Sequence, residues 1–366
     1  MKAYRLVMLV MLAAVCSGVH SQTVEQPQEC WSRGPLVGKN WYLPFSIYYH
    51  YPGYSARSGK QAEFQYHVSH YYTNDYYSIF SAEYQNSLMR KQPDEYPSIF
   101  FISRDYESYN VELGFSYWPL RRLAFGIDFR LVSYFGGILD MPIEGFHRLL
   151  NLPNGYRELS ARNQVLVDIQ NASGVRLALN RAAASLGDID LHTRYTFLET
   201  AALSLAGYSA LKLPTGQRDL LSGSGYPDAA LGIVADFLPA RFVALHGHAG
   251  MTVPFDSFIA GAVSRPKPFF VGMAGIELAP IRKFSIHLQL IIKSPTLEPS
   301  IADDLHWIFT DSNMLLLPQA NVLVGCSLGT HDALWQFYLE EDSFTGAGAD
   351  ITLNLAYFRT ITRQPH

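Results

Sequence analysis

Charge is scarce in this 366-residue chain and sulfur scarcer, and each shortage closes off a class of function. Asp, Glu, Lys and Arg together make up only 16% of residues, with a net charge of −4. That leaves no basic footprint for nucleic acid. The only cysteines are Cys16, Cys30 and Cys326, too few and too dispersed for a disulfide framework or a thiolate zinc site. No CxxC, HExxH, Walker A or GxSxG pattern occurs, so the motif-borne chemistries lack support. Nor is there an apolar run long enough for a membrane helix, which needs roughly 20 residues. No catalytic residue, metal ligand or cofactor is therefore assigned from sequence.

What the chain does have is 48% hydrophobic residues and an N-terminus that reads as a secretion signal. Lys2 and Arg5 precede an apolar stretch from Leu6 to Val15, and Val19-His20-Ser21 offers a cleavage site before Gln22. Cys16 admits a lipoprotein alternative, but Val15 before it is larger than such sites prefer. Cys30 and Cys326 could pair in an exported protein. Cys326 follows Val322 and Val324 on what would be a lipid-facing row, so both cysteines are read as free.

Beyond residue 61 the pattern is period 2. Phe284, Ile286, Leu288, Leu290 and Ile292 alternate with Ser285, His287, Gln289, Ile291 and Lys293, giving one apolar and one largely polar face. The stretch is longer than the 5–6 residues usual in soluble strands and matches the 9–11 of a tilted membrane strand. The same alternation sets Ile189, Leu191, Tyr195 and Phe197 against Asp190, His192 and Arg194, and Phe125, Ile127 and Phe129 against Asp128 and Arg130. In the last strand Ile351, Leu353, Leu355 and Tyr357 oppose Thr352, Asn354 and Ala356.

About twelve strands are expected, an even number as in bacterial single-chain barrels. They would begin near Ala62, Ile99, Leu123, Asp188, Ala202, Asp228, Phe242, Phe269, Phe284, Ala320, Leu334 and Asp350. Short turns such as Trp118–Arg121 and Pro280–Arg282 alternate with long connections, placing the former in the periplasm and the latter outside. The 23 Tyr and 22 Phe suit aromatic girdles at both interfaces. The fold class expected is all-β: a transmembrane antiparallel β-barrel in the outer membrane of a diderm bacterium. Residues 1–21 would be the signal, 22–60 a periplasmic or plug-like segment, 61–360 the barrel and 361–366 a periplasmic tail.

The inward faces would carry Glu112, Asp128, Arg130, Asp190, His192, Arg194, Lys212, Asp236, His246, His248, His287 and Lys293. Such charges must be solvated or mutually paired. They would line either a polar pore or a plugged interior; a barrel of this size favours a narrow or partly plugged channel. His246 and His248, at i and i+2, are the pair whose spacing could ligate a metal, although lumen hydrogen bonding is the commoner use.

The longest connection, Gly136 to Leu186, contains a helix signal. Asp140 can cap it, Pro142 fits its first turn, and Asn151 and Pro153 end it. Ile143, Phe146, Leu149 and Leu150 form an apolar stripe, of which Ile143, Phe146 and Leu150 are expected to dock on the barrel wall or a lipid tail. The helix would fold into the lumen or rest on the membrane surface. As a gate, it would use Asp140, Glu144, Phe146, His147, Arg148 and Arg157.

This block, with GDIDLHTRYTF (Gly187–Phe197), LKLPTG (Leu211–Gly216) and GSGYPDAALG (Gly223–Gly232), resembles an uncharacterised family of bacterial outer-membrane proteins, a domain of unknown function. Gly136, Gly137, Asp140, Ile143, Glu144, Phe146, His147, Pro153 and Arg157 carry the loop hallmark, and the likeness extends from about Gly34. The resemblance implies a barrel and no assigned activity. The chain departs from ordinary barrels in the polar tail after Tyr357-Phe358, which leaves the register of the last strand open.

The function expected is a narrow or gated channel for small or amphiphilic molecules, with outer-membrane lipid and the barrel-assembly machinery as partners and the substrate unknown. Two alternatives stand beside it. Glu144 and His147, one helical turn apart, could serve a lipid-modifying enzyme, though such pairs are common on helix surfaces. Tyr-rich loops such as Tyr71-Tyr72 and Tyr76-Tyr77 suit a surface-interaction barrel.

Overall fold

Period-2 alternation makes each strand two-faced, and twelve such strands close on themselves in the computed structural model. Its described residues are 31–38, 41–42, 47–48, 53–77, 100–151, 161–171, 176–255, 267–295, 318–341 and 351–362. The barrel strands are β1 (Glu63–Tyr77), β2 (Phe100–Leu120), β3 (Leu123–Phe135), β4 (Ile189–Glu199), β5 (Leu203–Leu213) and β6 (Asp228–Ala240). They continue as β7 (Val243–Pro254), β8 (Phe269–Ile281), β9 (Phe284–Lys293), β10 (Gln319–Gly329), β11 (Ala333–Glu341) and β12 (Ile351–Thr362). Each pairs antiparallel with its sequence neighbour, and β12 pairs with β1 from Ile351↔Asn74 to Thr362↔Glu63. Closure leaves no free edge in the ring, which removes the aggregation hazard of an open sheet. The expected starts fall within one residue of those observed, and the last strand keeps its expected faces despite the polar tail.

Turns at residues 121–122, 200–202, 241–242, 282–283 and 330–332 lie at one end, with the long connections at the other. The outward rows are apolar and exposed: Leu113, Phe129, Leu231, Ile233, Leu245, Ile286, Leu288, Val324, Phe337 and Leu353 among them. A continuous apolar belt of this kind far exceeds what soluble surfaces carry and suits a hydrocarbon surround. Cys326 is unpaired and belongs to the same outward row as Val322 and Val324. Among the described residues no helix is long and apolar enough to cross a membrane, which says nothing about crossing by strands.

The connection after β3 is more structured than its sequence suggests. Helix α1 spans Asp140–Leu150, and three short strands follow. Leu166–Asn171 pairs with the upper end of β2, Arg176–Leu179 pairs with Leu166–Asn171, and Ala183–Leu186 extends the ladder on β3. These appended strands raise the wall above the ring. Asp140 is not the cap: the N-cap position is Leu139, with no side-chain cap bond, and Asn151 closes the helix in the left-handed region at φ 56°. Asp140's carboxylate instead accepts the backbone N–H of Asn163 at 2.8 Å.

Candidate functional site

Inside the ring, the polar rows do not surround an empty pore; the N-terminal segment runs through the short-turn half as a strap. Residues 31–38 form one leg and 53–60 the other. Neither is paired to the wall as a strand. Each is held by inward side chains that take its backbone groups, which a strap without ladder partners must find when buried.

The first leg enters beside the β6–β7 turn, where Trp31 donates its N–H to Arg241 O at 3.0 Å and lies under the Arg241 guanidinium. Ser32 Oγ and the Arg33 N–H both donate to Glu277, at 2.6 and 2.8 Å. Leu36 N–H donates to Gln289 Oε1 at 2.6 Å, and Gln289 Nε2 donates back to Leu36 O at 3.3 Å. Gln336 makes the same two-way pairing with Val37 N–H and Pro35 O, and the Tyr338 hydroxyl donates to Val37 O. Val37 packs with Leu334, Ala356 and Phe358.

The second leg repeats the device on the opposite wall. Ser55 Oγ and the Ala56 N–H both donate to Asp236, the latter at 2.7 Å. Ala56 sits among Ala206, Tyr208, Ala210, Ala230 and Val234. Arg194 donates to Ser55 O at 2.6 Å, Thr196 Oγ1 donates to Ala56 O at 2.9 Å, and Ser58 uses both its N–H and its hydroxyl on Glu199. The legs touch: a Cβ on Gly53 would fall 2.4 Å from Val37 Cα.

His246 ties the two anchors together. Its Nδ1 lies 2.7 Å from Asp236 and its Nε2 3.2 Å from Glu277, so one imidazole bridges the carboxylates that hold the two legs. His287 stands next to it, 3.9 Å from Glu277 and within hydrogen-bond reach of the Ser285 and Ser327 hydroxyls. A cavity of about 670 Å³ remains beside the strap. It is lined by both legs, by His192 and Arg194, and by the Arg121, Thr200 and Thr330 turn region.

The long-loop half is closed differently, by ion pairs between wall residues. Arg104 meets Asp75 at 3.0 Å, and the Tyr106 hydroxyl donates to the same carboxylate. Arg130 meets Asp190 at 2.8 Å. Lys212 pairs with Asp228, lies 3.5 Å from Asp188 and donates to Ser224 at 2.6 Å. Asp188 in turn accepts the N–H groups of Gly216 and Ser224, drawing the connection after β5 inward. Between the halves, His67 Nε2 lies 3.1 Å from Glu112 and 3.9 Å from Asp128.

The expected inward residues are thus distributed over three neighbourhoods. Glu112, Asp128 and His192 lie in the middle; Asp236, His246, His287 and Arg194 serve the strap; and Arg130, Asp190 and Lys212 make wall pairs. His248 turns to the Tyr208 hydroxyl at 2.7 Å rather than converging with His246. Lys293 is buried on the same face of β9 as His287 and Gln289.

Helix α1 sits against the outside of the wall. Asp105 and Glu107 share the outward row of β2 with Tyr109 and Leu113, yet both are buried. Leu139 N–H and the Tyr72 hydroxyl donate to Glu107, and Gln164 donates to Asp105. On α1, Asp140 and Glu144 are buried, and Glu144 takes a two-point bond from Arg162. This pairing, outside the barrel strands, pushes the Arg162 pKa up. Met141, Phe146 and Leu149 are exposed, as is Arg148, and His147 is half-buried. Of the apolar stripe, Phe146 and Leu149 are exposed and Ile143 is half-buried, while the buried carboxylates of Asp140 and Glu144 are taken up by the Asn163 N–H and the Arg162 guanidinium of the same connection. Arg157 lies outside the described residues.

Sequence reasoning missed His67, Asp75, Gln289, Gln336 and the strap serines as contact residues. Alternation could have found His67, since Glu63, Gln65, His67 and Ser69 oppose Phe64, Tyr66 and Val68.

Comparison with known proteins places this architecture. Residues 66–306 match the family described as "Protein of unknown function (DUF3187)", and the chain belongs to that family. No curated protein matches the sequence. Among solved structures, the COG4313 outer membrane channel from Pseudomonas putida F1 is similar at 14% identity and a TM-score of 0.52, covering 85% of this chain and 100% of that one. The P. putida toluene transporter TodX is similar at 9% identity and a TM-score of 0.37, covering 84% and 92%. The first shares the outer-membrane barrel fold; the second overlap is too loose to add to it.

Proposed function

We propose that this member of the DUF3187 family is an outer-membrane channel for small or amphiphilic molecules, closed on the periplasmic side by its own N-terminal strap. The apolar belt and the secretion-signal pattern support placement in the outer membrane of a diderm bacterium. One observation carries the channel reading. The strap crosses the lumen without joining the sheet, so its removal would leave every barrel ladder intact. A barrel built only as a scaffold needs no separable filling, because side chains from the wall can do that work. The cavity beside the strap lies in the range of pockets that hold small molecules, about 300–1,000 Å³.

The test is conductance and solute uptake by the full chain in planar bilayers and liposomes, comparing wild type with the Asp236→Asn/Glu277→Gln double variant. The variant weakens the anchors of both legs and the His246 bridge. Uptake is expected to rise while heat-modifiable migration stays that of a folded barrel. A folded variant whose strap has become protease-sensitive, yet which conducts no more than wild type, would overturn the channel reading in favour of a structural barrel.

A further inference from the structure

We propose that the middle of the lumen holds one divalent transition-metal ion, bound by His67, Glu112 and Asp128 with His192 as fourth ligand. These residues come from four consecutive strands, β1 to β4, and all point inward. Register brings them together: His67 pairs with Gly114, Gly114 with Asp128, and Gly126 with His192. The donor atoms of His67, Glu112 and Asp128 lie within 4.8 Å of one another, and all three residues are buried. His192 Nε2 lies 3.7 Å from Asp128 Oδ1, the same oxygen that faces His67 at 3.9 Å.

These separations suit a metal. Ligands bonded at about 2.0–2.2 Å in a tetrahedron stand about 3.4 Å apart. His67 stands 3.1 Å from Glu112 and 3.9 Å from Asp128. His192, 3.7 Å from Asp128 and 3.4 Å from the Tyr54 hydroxyl, lies outside that mutual grouping and would exchange the hydroxyl for the ion by closing on the trio. Two imidazoles with two carboxylates are a nitrogen and oxygen set typical of zinc and its divalent neighbours, without the thiolates that select copper(I). Two carboxylates also match the charge of the ion.

The imidazoles are aimed by features a simple salt bridge does not need. A Cβ on Gly114 would fall 1.9 Å from His67 Cε1, and one on Gly126 would fall 2.0 Å from His192 Cε1. Glycine in a strand weakens it and marks a close approach; here two glycines on neighbouring strands let both rings lie flat across the wall towards Asp128. Each ring is backed by an aromatic. His67 lies against Phe358 with centroids 5.3 Å apart, and His192 stacks on Tyr54 of the strap at 5.2 Å. The Tyr54 contact places the second leg of the strap directly on a metal ligand.

The experiment is a zinc titration of the full chain, folded in detergent and stripped with a chelator, read by calorimetry and by competition with a zinc indicator. One zinc per chain is expected. His67→Ala and Asp128→Asn should each weaken it by more than the 10–100-fold that losing a supporting hydrogen bond costs, whereas His248→Ala should leave it unchanged. Because a ligand variant could fail to fold, cobalt(II) titration of the wild type provides a second reading: visible d–d absorption of a four-coordinate site, displaced by zinc, with no thiolate charge-transfer band. Wild type that binds no stoichiometric zinc and gives no such cobalt spectrum would overturn the proposal, as would zinc binding that survives both ligand substitutions in folded protein.

Discussion

The two halves of the lumen are filled by different chemistry, and the difference separates what builds the barrel from what occupies it. In the long-loop half, charges on adjacent strands neutralise one another, as in Asp75–Arg104 and Arg130–Asp190. In the short-turn half, wall carboxylates and amides take backbone groups of a segment outside the sheet, as in Glu277 with Arg33 and Asp236 with Ala56. Breaking the first kind strands a charge in the wall. Breaking the second returns strap and side chain to water.

The largest effect should therefore come from Arg104. It is almost fully buried, and Arg104→Met leaves Asp75 without its guanidinium. Removing one partner of a buried pair costs about 3–5 kcal/mol, readable as a lower unfolding midpoint in urea. A loss below about 1 kcal/mol would mean that water reaches the long-loop half and the contrast between the halves is false.

Next in size is a substitution on the lipid side. Leu288 is 52% exposed on the outer face of β9, and Arg there should cost about 2–4 kcal/mol near the bilayer midplane, measured by unfolding from lipid vesicles. Its neighbour Gln289 faces inward and holds Leu36. Arg at Gln289 should leave the barrel's stability far less changed but dislodge the first leg, so a rise in uptake accompanies it. Equal destabilisation by both changes would break the assignment of faces.

That pair of neighbours also shows what the sequence could and could not disclose. Strict alternation makes residue parity equivalent to a choice of face, so Leu288 and Gln289 were separable without coordinates, as were the strand starts. The middle cluster needed register as well: Gly114 and Gly126 matter because of what they stand opposite, and no single strand records that. The strap was hidden for another reason. Its bonds run from wall side chains to backbone, leaving no periodicity in residues 31–38 or 53–60, so the sequence marked 22–60 as periplasmic or plug-like without showing which residues hold it. In the long loop the burial of Asp140 and Glu144 was not legible, because their partners Asn163 and Arg162 lie far along the connection and leave no local pattern.

A smaller effect should follow loss of the strap hydroxyls. Ser32→Ala and Ser55→Ala each remove one donor to a carboxylate that retains a backbone N–H and His246. Each should cost about 1–2 kcal/mol at most, and uptake should rise modestly in the double variant. No rise in that variant, with a large one in Asp236→Asn/Glu277→Gln, would place the closing force in the His246 bridge rather than in the serines.

The smallest effect is expected at α1, where it bears on which element closes the barrel. The described contacts of the helix and its flanks run to outward-facing residues: Leu139 to Glu107, Asp140 towards Asn74, and Gln164 to Asp105. Phe146 and Leu149 are 55% and 80% exposed. Changing both to Ser removes little packed surface and should shift stability in detergent by about 0.5 kcal/mol or less. Glu144→Gln breaks a bond to a half-exposed arginine, for which about 0–1 kcal/mol is the usual range of exposed pairs. Deleting residues 141–154 should leave uptake at the wild-type level, because the helix stands on the outer wall and the strap remains in place. Combined with Asp236→Asn/Glu277→Gln, the deletion should add nothing to the uptake of the double variant. A deletion that by itself opens the barrel as far as releasing the strap would give the long-loop half a gate of its own and end the asymmetry between the two halves.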